Sequence, residues 1–258
     1  MSFRSAFLFG LFATVSFVSA RTSSRTVQGH SIDFSTYRPN RGIGVEEWIK
    51  QRGYNIGNYT VGGVEGKTVP RRFDKTNVQI VDGALRLSVL GQQRPSDTVS
   101  ASQIESTEYF TYGTLETIAR ATPVKDVCQG IFFYRDDQVE TDIELLSSYY
   151  TEGYQDLVNP GAQFTNQALV EGQAPTTVAK SFGFDPTAGF HNYTMQWSPS
   201  ATKFWVDGRL QTTLTKNVPP SASRIMYNNW SNGNPGWSAG PPRQDAHFDI
   251  RSFRYTPL

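Results

Sequence analysis

Val78-Gln79-Ile80-Val81-Asp82-Gly83-Ala84-Leu85-Arg86-Leu87-Ser88-Val89 alternates apolar and polar residues about an Asp-Gly pair, the short-range mark of a tight β-hairpin. Lys203-Phe204-Trp205-Val206-Asp207-Gly208-Arg209-Leu210 repeats the device. Working outward, 103–106, 113–120, 130–134, 191–197, 224–227 and 248–255 read as further strands, many of them bounded by Gly or Pro. Short strands, turn signals between them and almost no 3.6-residue periodicity predict an all-β fold, an antiparallel sandwich or barrel. Val45 to Lys50 suggests one or two helical turns, and the glycine-rich stretch after it (Gly53, Gly57, Gly62, Gly63, Gly66) reads as a loop of the kind that rims a site.

The chain has 258 residues and no low-complexity linker, so residues 31–258 are expected to form a single β domain. With 38% hydrophobic and 13% aromatic residues it can fill a core and keep aromatics for a binding surface. The opening MSFRSAFLFGLFATVSFVSA carries one early charge (Arg4), an apolar run and the small-residue ending Val18-Ser19-Ala20. That pattern predicts a signal peptide over residues 1–20, a secreted, extracellular product, and a flexible Ser/Thr-rich mature terminus over 21–30. No second apolar stretch is long enough to span a bilayer, so no membrane partner is expected. Without the leader, 23 basic residues face 23 acidic ones, and nothing steers toward nucleic acid. The one cysteine, Cys128, excludes an internal disulfide and, beside Val127 and Ile131, reads as a buried, inert thiol. Sequons at Asn58, Asn192 and Asn229 agree with secretion, the last falling where substrate is expected.

Between the hairpins lies Glu140-Thr141-Asp142-Ile143-Glu144. On a strand, the three carboxylates share one face and Thr141, Ile143 and Leu145 the other. Crowded acids resist common ionisation, which suits general acid/base work. Paired carboxylates act on glycosidic bonds, where the transition state is cationic at the sugar carbon and the leaving oxygen needs a proton. Glu140 and Glu144 have Cα atoms about 13 Å apart at roughly 3.3 Å per residue, so their side chains must lean together over Asp142. The pattern alone also fits an exposed acidic strand, or a Ca²⁺ site that includes Asp136 and Asp137.

The stretch Glu140 to Leu145 resembles the E-x-D-x-E strand of glycoside hydrolase family 16, the laminarinase and lichenase group. The likeness extends through Asn77 to Leu87, Tyr112-Gly113-Thr114-Leu115-Glu116, Phe190-His191-Asn192-Tyr193 with Trp205-Val206-Asp207-Gly208, and Asn228-Asn229-Trp230 followed by Trp237. The resemblance implies a jelly roll of two curved antiparallel sheets with a concave cleft and a retaining mechanism. It makes Glu140 the nucleophile, Glu144 the general acid/base and Asp142 the assisting carboxylate. Gln103, Tyr134, Asn228 and Trp230 then fall at sugar contacts, with Trp237 expected to stack on a pyranose ring and His191 remote and structural. The implied substrate is a 1,3- or 1,3/1,4-linked β-glucan acted on by a monomer that needs no cofactor.

Two departures from the family pattern are expected to touch subsite shape. Gln138-Val139 stands where many relatives carry a tryptophan, and Thr141 replaces an aliphatic residue. A late aspartate serves a family calcium site, but Asp249 looks one residue out of register, so no metal is assigned. A wall-remodelling transglycosylase and a Ca²⁺-dependent lectin on the same sandwich stay open as alternatives.

Overall fold

The computed structural model describes residues 29–39, 42–94, 98–153 and 160–258. The expected signal peptide, and the expected flexible terminus up to residue 28, lie outside them. In chain order the elements are β1 (His30–Asp33), α1 (Val45–Lys50), β2 (Tyr54–Ile56), β3 (Tyr59–Val61), β4 (Arg71–Phe73), β5 (Val78–Val81), β6 (Ala84–Val89), β7 (Val99–Ser106), β8 (Gly113–Arg120) and β9 (Cys128–Asp136). They continue with β10 (Val139–Leu146), α2 (Ser147–Gly153), β11 (Ala162–Asn166), β12 (Thr176–Lys180), β13 (His191–Trp197), β14 (Thr202–Val206), β15 (Arg209–Leu214), β16 (Arg224–Trp230) and β17 (Ala246–Pro257).

Both Asp-Gly hairpins form as expected. Asp82 and Gly83 have φ of 52° and 72°, and Asp207 and Gly208 of 48° and 74°, so each pair supplies the two left-handed positions of a type I′ turn. One sheet runs β15-β14-β13-β8-β17-β6-β5 with β1 on β17, and the other runs β12-β11-β10-β9-β16-β7-β4-β3 with β2 on β7. The stacked sheets make the jelly roll that the resemblance implied. Among the described residues every strand pairing is antiparallel except β4 with β7, which is parallel and sets Phe73 opposite Ala101. The glycine-rich stretch expected to be all loop holds β2 and β3, short strands that the turn-forming glycines around them conceal.

Inward residues of the two sheets interdigitate in a core that includes Leu85, Leu87, Leu115, Phe133, Ile143, Phe164, Tyr193, Phe204, Phe248 and Ile250. Each such side chain contributes about 1.5–3 kcal/mol by leaving water. Trp197 is fully buried and still satisfies its indole, donating Nε1–H to the Pro219 carbonyl at 2.9 Å.

Asn229 overturns its expected place near substrate. It faces the interior, is 0% exposed, and its Nδ2 donates to the Leu87 and Ala246 carbonyls at 2.9 and 3.0 Å, so its amide ties the sheets together and is closed to a glycosylating enzyme in the folded chain. His191 lies on the sheet remote from the acidic strand, with Nδ1 2.7 Å from Asp207 Oδ2.

Candidate active site

Strand β10 is central in its sheet, hydrogen-bonded to β9 and β11. Pleating drives Thr141, Ile143 and Leu145 into the core, all 0% exposed, and leaves Glu140, Asp142 and Glu144 on the opposite, concave face. Thr141 does not shape that face: its hydroxyl points inward, 2.8 Å from Asn166 Oδ1 and 3.1 Å from the Thr165 carbonyl. Asn166 in turn donates to the Lys216 carbonyl at 2.9 Å, so a polar residue at an aliphatic position is accommodated within the core.

The carboxylates line a cleft of about 340 Å³ together with Gln103, Tyr134, Asn228 and Trp230. Each of these belongs to a neighbouring strand of the same face. Tyr134 is the register partner of Glu140 and donates its hydroxyl to Asp137 Oδ1 at 2.9 Å. Asn228 is opposite both Gln103 and Gly130. Gly130 is there for space: a Cβ would sit 2.5 Å from Asn228 Oδ1. Gln103, 2% exposed, donates its amide to the Tyr59 hydroxyl at 2.8 Å. Trp237 turns its indole edge to the acids, Nε1 donating to Glu144 Oε1 at 3.1 Å.

Several cleft residues escaped the sequence reading. Phe132, and behind the cleft lining the buried Cys128, could have been found by stepping back two residues at a time from Tyr134, because alternate residues of one strand share a face. Cys128 is buried as expected, yet its thiol donates to Glu144 Oε1 at 3.1 Å. Arg71 and Tyr59 carry no such signal, since short strands and the parallel β4–β7 pairing bring them in. The Arg71 guanidinium lies 4.5 Å from the centre of the Trp230 ring.

Burial, then the charges of Glu140 and Glu144, push Asp142 well above the ordinary carboxylate range, and Asp142 hydrogen-bonds Glu140. Gln167 Nε2 donates to Asp142 Oδ2 at 3.0 Å and fixes that side chain. Burial pushes Glu140 up to about 7 against the opposing hydrogen bond from Asp142, with Glu144 and Asp137 adding repulsion. Glu144 is also raised by burial, while Cys128, Trp237 and Arg71 draw it back. Each acid therefore makes ionisation of the others harder, the arrangement in which neighbouring carboxyls take up different protonation states.

Asp249, the late aspartate of β17, lies on the outer face of the other sheet. Arg86 donates to both its oxygens at 2.8 and 3.0 Å and Arg120 to Oδ2 at 2.7 Å. Two guanidiniums already neutralise this carboxylate, and a divalent cation does not fit beside them.

A family model described as "Glycosyl hydrolases family 16" matches residues 67–248. A β-glucanase of Bacillus licheniformis is 26% identical over 229 residues, covering 86% of this chain and 82% of that protein. The "Congo red hypersensitive protein 1" of Saccharomyces cerevisiae is 30% identical over 143 residues, 53% of this chain but only 26% of the yeast protein. Among solved structures, the B. licheniformis β-glucanase superposes with a TM-score of 0.68 at 20% identity over 91% of this chain and all of that one. A Crh5 transglycosylase solved with NAG gives 0.60 at 18% identity over 90% of this chain and 85% of the other. The family match runs from ahead of β4 into β17 and takes in the whole acidic strand: the chain belongs to glycosyl hydrolase family 16.

Proposed function

We propose that the protein is a secreted, retaining glycosidase that cleaves 1,3- or 1,3/1,4-linked β-glucan as a monomer and without a cofactor. The observation that carries this reading is the row Glu140, Asp142, Glu144 in a cleft of about 340 Å³ walled by Trp230, Phe132 and Tyr134. In the first step Glu144 gives its proton to the leaving oxygen while the Glu140 carboxylate attacks the sugar carbon, so the C–O bond breaks and a glycosyl ester forms. Asp142, hydrogen-bonded to Glu140, withdraws charge from the nucleophile and makes it a better leaving group in the second step. Glu144, now ionised, takes a proton from water as water displaces Glu140 with the original stereochemistry restored. Replacing Glu140 with Gln is expected to abolish release of reducing sugar from barley β-glucan and laminarin with the circular dichroism spectrum unchanged; retained turnover would overturn the assignment.

A second reading is favoured by the likeness to a protein named a transglycosylase. The same glycosyl ester would pass to a sugar hydroxyl in place of water. Incubation with a labelled oligosaccharide acceptor separates the two: label in longer products means transfer, and unlabelled short products mean hydrolysis. Secretion rests on the leader-like residues 1–20 and is tested by sequencing the amino terminus of the exported protein, expected near Arg21.

A further inference from the structure

Glu144 receives two hydrogens on one oxygen: Cys128 Sγ and Trp237 Nε1 each stand 3.1 Å from Oε1. An indole N–H can only donate. The thiol also stays protonated, because burial and the adjoining Glu144 charge raise it well above its ordinary range. An sp² carboxyl oxygen has two lone pairs, and both on Oε1 are taken.

We infer that Cys128 is a positioning residue for Glu144: with Trp237 it clamps Oε1, so that the proton Glu144 delivers is carried on Oε2. This rests on Glu144 being the acid/base. Turning the carboxyl group over would break both bonds, so the clamp fixes the plane of the acid and the oxygen that bears its proton. It also acts after transfer. Hydrogen bonds to an ionised acceptor are about twice as strong as neutral ones, so the same donors stabilise the carboxylate left when the proton has gone.

The placement follows from register. Glu144 pairs with Gly130 on β9, which leaves the cleft face open at that point, and Cys128 is the next residue on that face. On β11 the partner is Gln163, which is uncharged. The charged and titratable groups facing Glu144 are therefore Glu140 and Asp142 on its own strand, Cys128 on β9 and Arg71 on β4. Removing the thiol leaves burial and the two acids opposed only by Arg71 and Trp237, which favours the protonated acid.

The first arm of the test is the pH profile of kcat/KM on barley β-glucan, whose basic limb reports the acid in the free enzyme. Cys128→Ala is expected to move that limb up by about 0.5–1 pH units, the size of losing one weak donor to a charged acceptor, with the acidic limb fixed. Cys128→Ser, which restores a donor, should return the limb toward wild type. A purely structural thiol would lower the melting temperature in both variants and leave the limb in place, and that result overturns the inference. The second arm needs no activity. Cys128 is the chain's one cysteine, so its S–H infrared band is assignable without labelling. The band is expected to move to the position of a free buried thiol in Glu144→Leu. A band unmoved by that change sinks the Cys128 contact, whereas an inactive wild type with a responsive band sinks the acid/base role of Glu144 instead.

Discussion

Each sheet buries acid on its outer face, and the two sites resolve the resulting charge in opposite ways. Around Asp249 the register sets Arg86 of β6 and Arg120 of β8 directly on either side, and their guanidiniums occupy both carboxylate oxygens. Burial opposes ionisation there, but the two arginines hold the carboxyl below its usual range. Around β10 the register partners are Tyr134, Phe132 and Gly130 on one side and Thr165 and Gln163 on the other, none of them cationic. Arg71 reaches in from β4, yet burial and mutual repulsion still raise all three acids above their ordinary range. Register thus separates a carboxylate that holds strands together from carboxylates whose ionisation is opposed at a cost in stability.

The comparison breaks most visibly at Glu140. Glu140→Gln should lower kcat/KM at least about 10³-fold, or about 4 kcal/mol of barrier. It should also stabilise the fold. The Glu140 carboxyl ionises at 4.5 when unfolded and about 7 when folded, so wild type loses stability as pH rises through that window while the glutamine does not. Stabilities from thermal melts should coincide below pH 4.5 and separate by about 3 kcal/mol above neutrality; a variant less stable than wild type at pH 8 would contradict the reading. Asp249→Asn should do the reverse, costing about 2 kcal/mol at pH 7 and leaving turnover within about twofold. That loss is below the range for a fully buried pair because the Arg120 side chain is 40% exposed. Asp249 is depressed, so its contribution is present above its unfolded value of 3.8 and disappears as pH falls through the lower folded value. The gap between wild type and Asp249→Asn should therefore close in acid, where the Glu140→Gln gap is already absent.

These opposite signs follow from cross-strand neighbours, and that is where reading the sequence stops. Period-two alternation placed the acids on one face and Thr141, Ile143 and Leu145 on the other, and the Asp-Gly pairs located both hairpins, because each is local to one strand or turn. Pairing is not local. Nothing in Arg86, Arg120 and Asp249 as separate letters tells that β6, β17 and β8 lie side by side, so the late aspartate could be set near a calcium site and then found between two arginines. Arg71 reaches the cleft only through the parallel β4–β7 pair. The Cys128 thiol was correctly read as buried, but its partner Glu144 is 16 residues away, across a hairpin whose register shifts at Val139/Glu140. A bulge of one residue is invisible in composition and decides which side chains meet.

A smaller change sharpens the cleft side. Gly130→Ala adds one methyl 2.5 Å from Asn228 Oδ1 and 3.3 Å from Phe132 Cδ1, on the register partner of Glu144. The Asn228 amide can swing into the cleft to relieve the clash, so stability should fall by less than about 1 kcal/mol while kcat/KM drops about tenfold. A loss of stability without a loss of rate would show that the floor of the cleft is mere packing.

The smallest expected effect lies on the arginine side and concerns cations. A ligand that binds the folded chain raises its stability by RT ln(1 + [L]/Kd), about 2.7 kcal/mol at a hundredfold excess over Kd. To gain that at Asp249, a divalent ion would have to displace guanidiniums hydrogen-bonded at 2.7 to 3.0 Å and leave two positive charges facing it. The acids of the cleft offer no better seat, since burial and mutual repulsion of Glu140, Asp142 and Glu144 oppose the ionisation that binding a cation requires. Millimolar calcium and excess chelator should therefore give superimposable melts at pH 7. A calcium-dependent rise in wild type that vanishes in Asp249→Asn would show that the ion, not Arg86 and Arg120, neutralises this carboxylate, and the contrast between the sheets would fall.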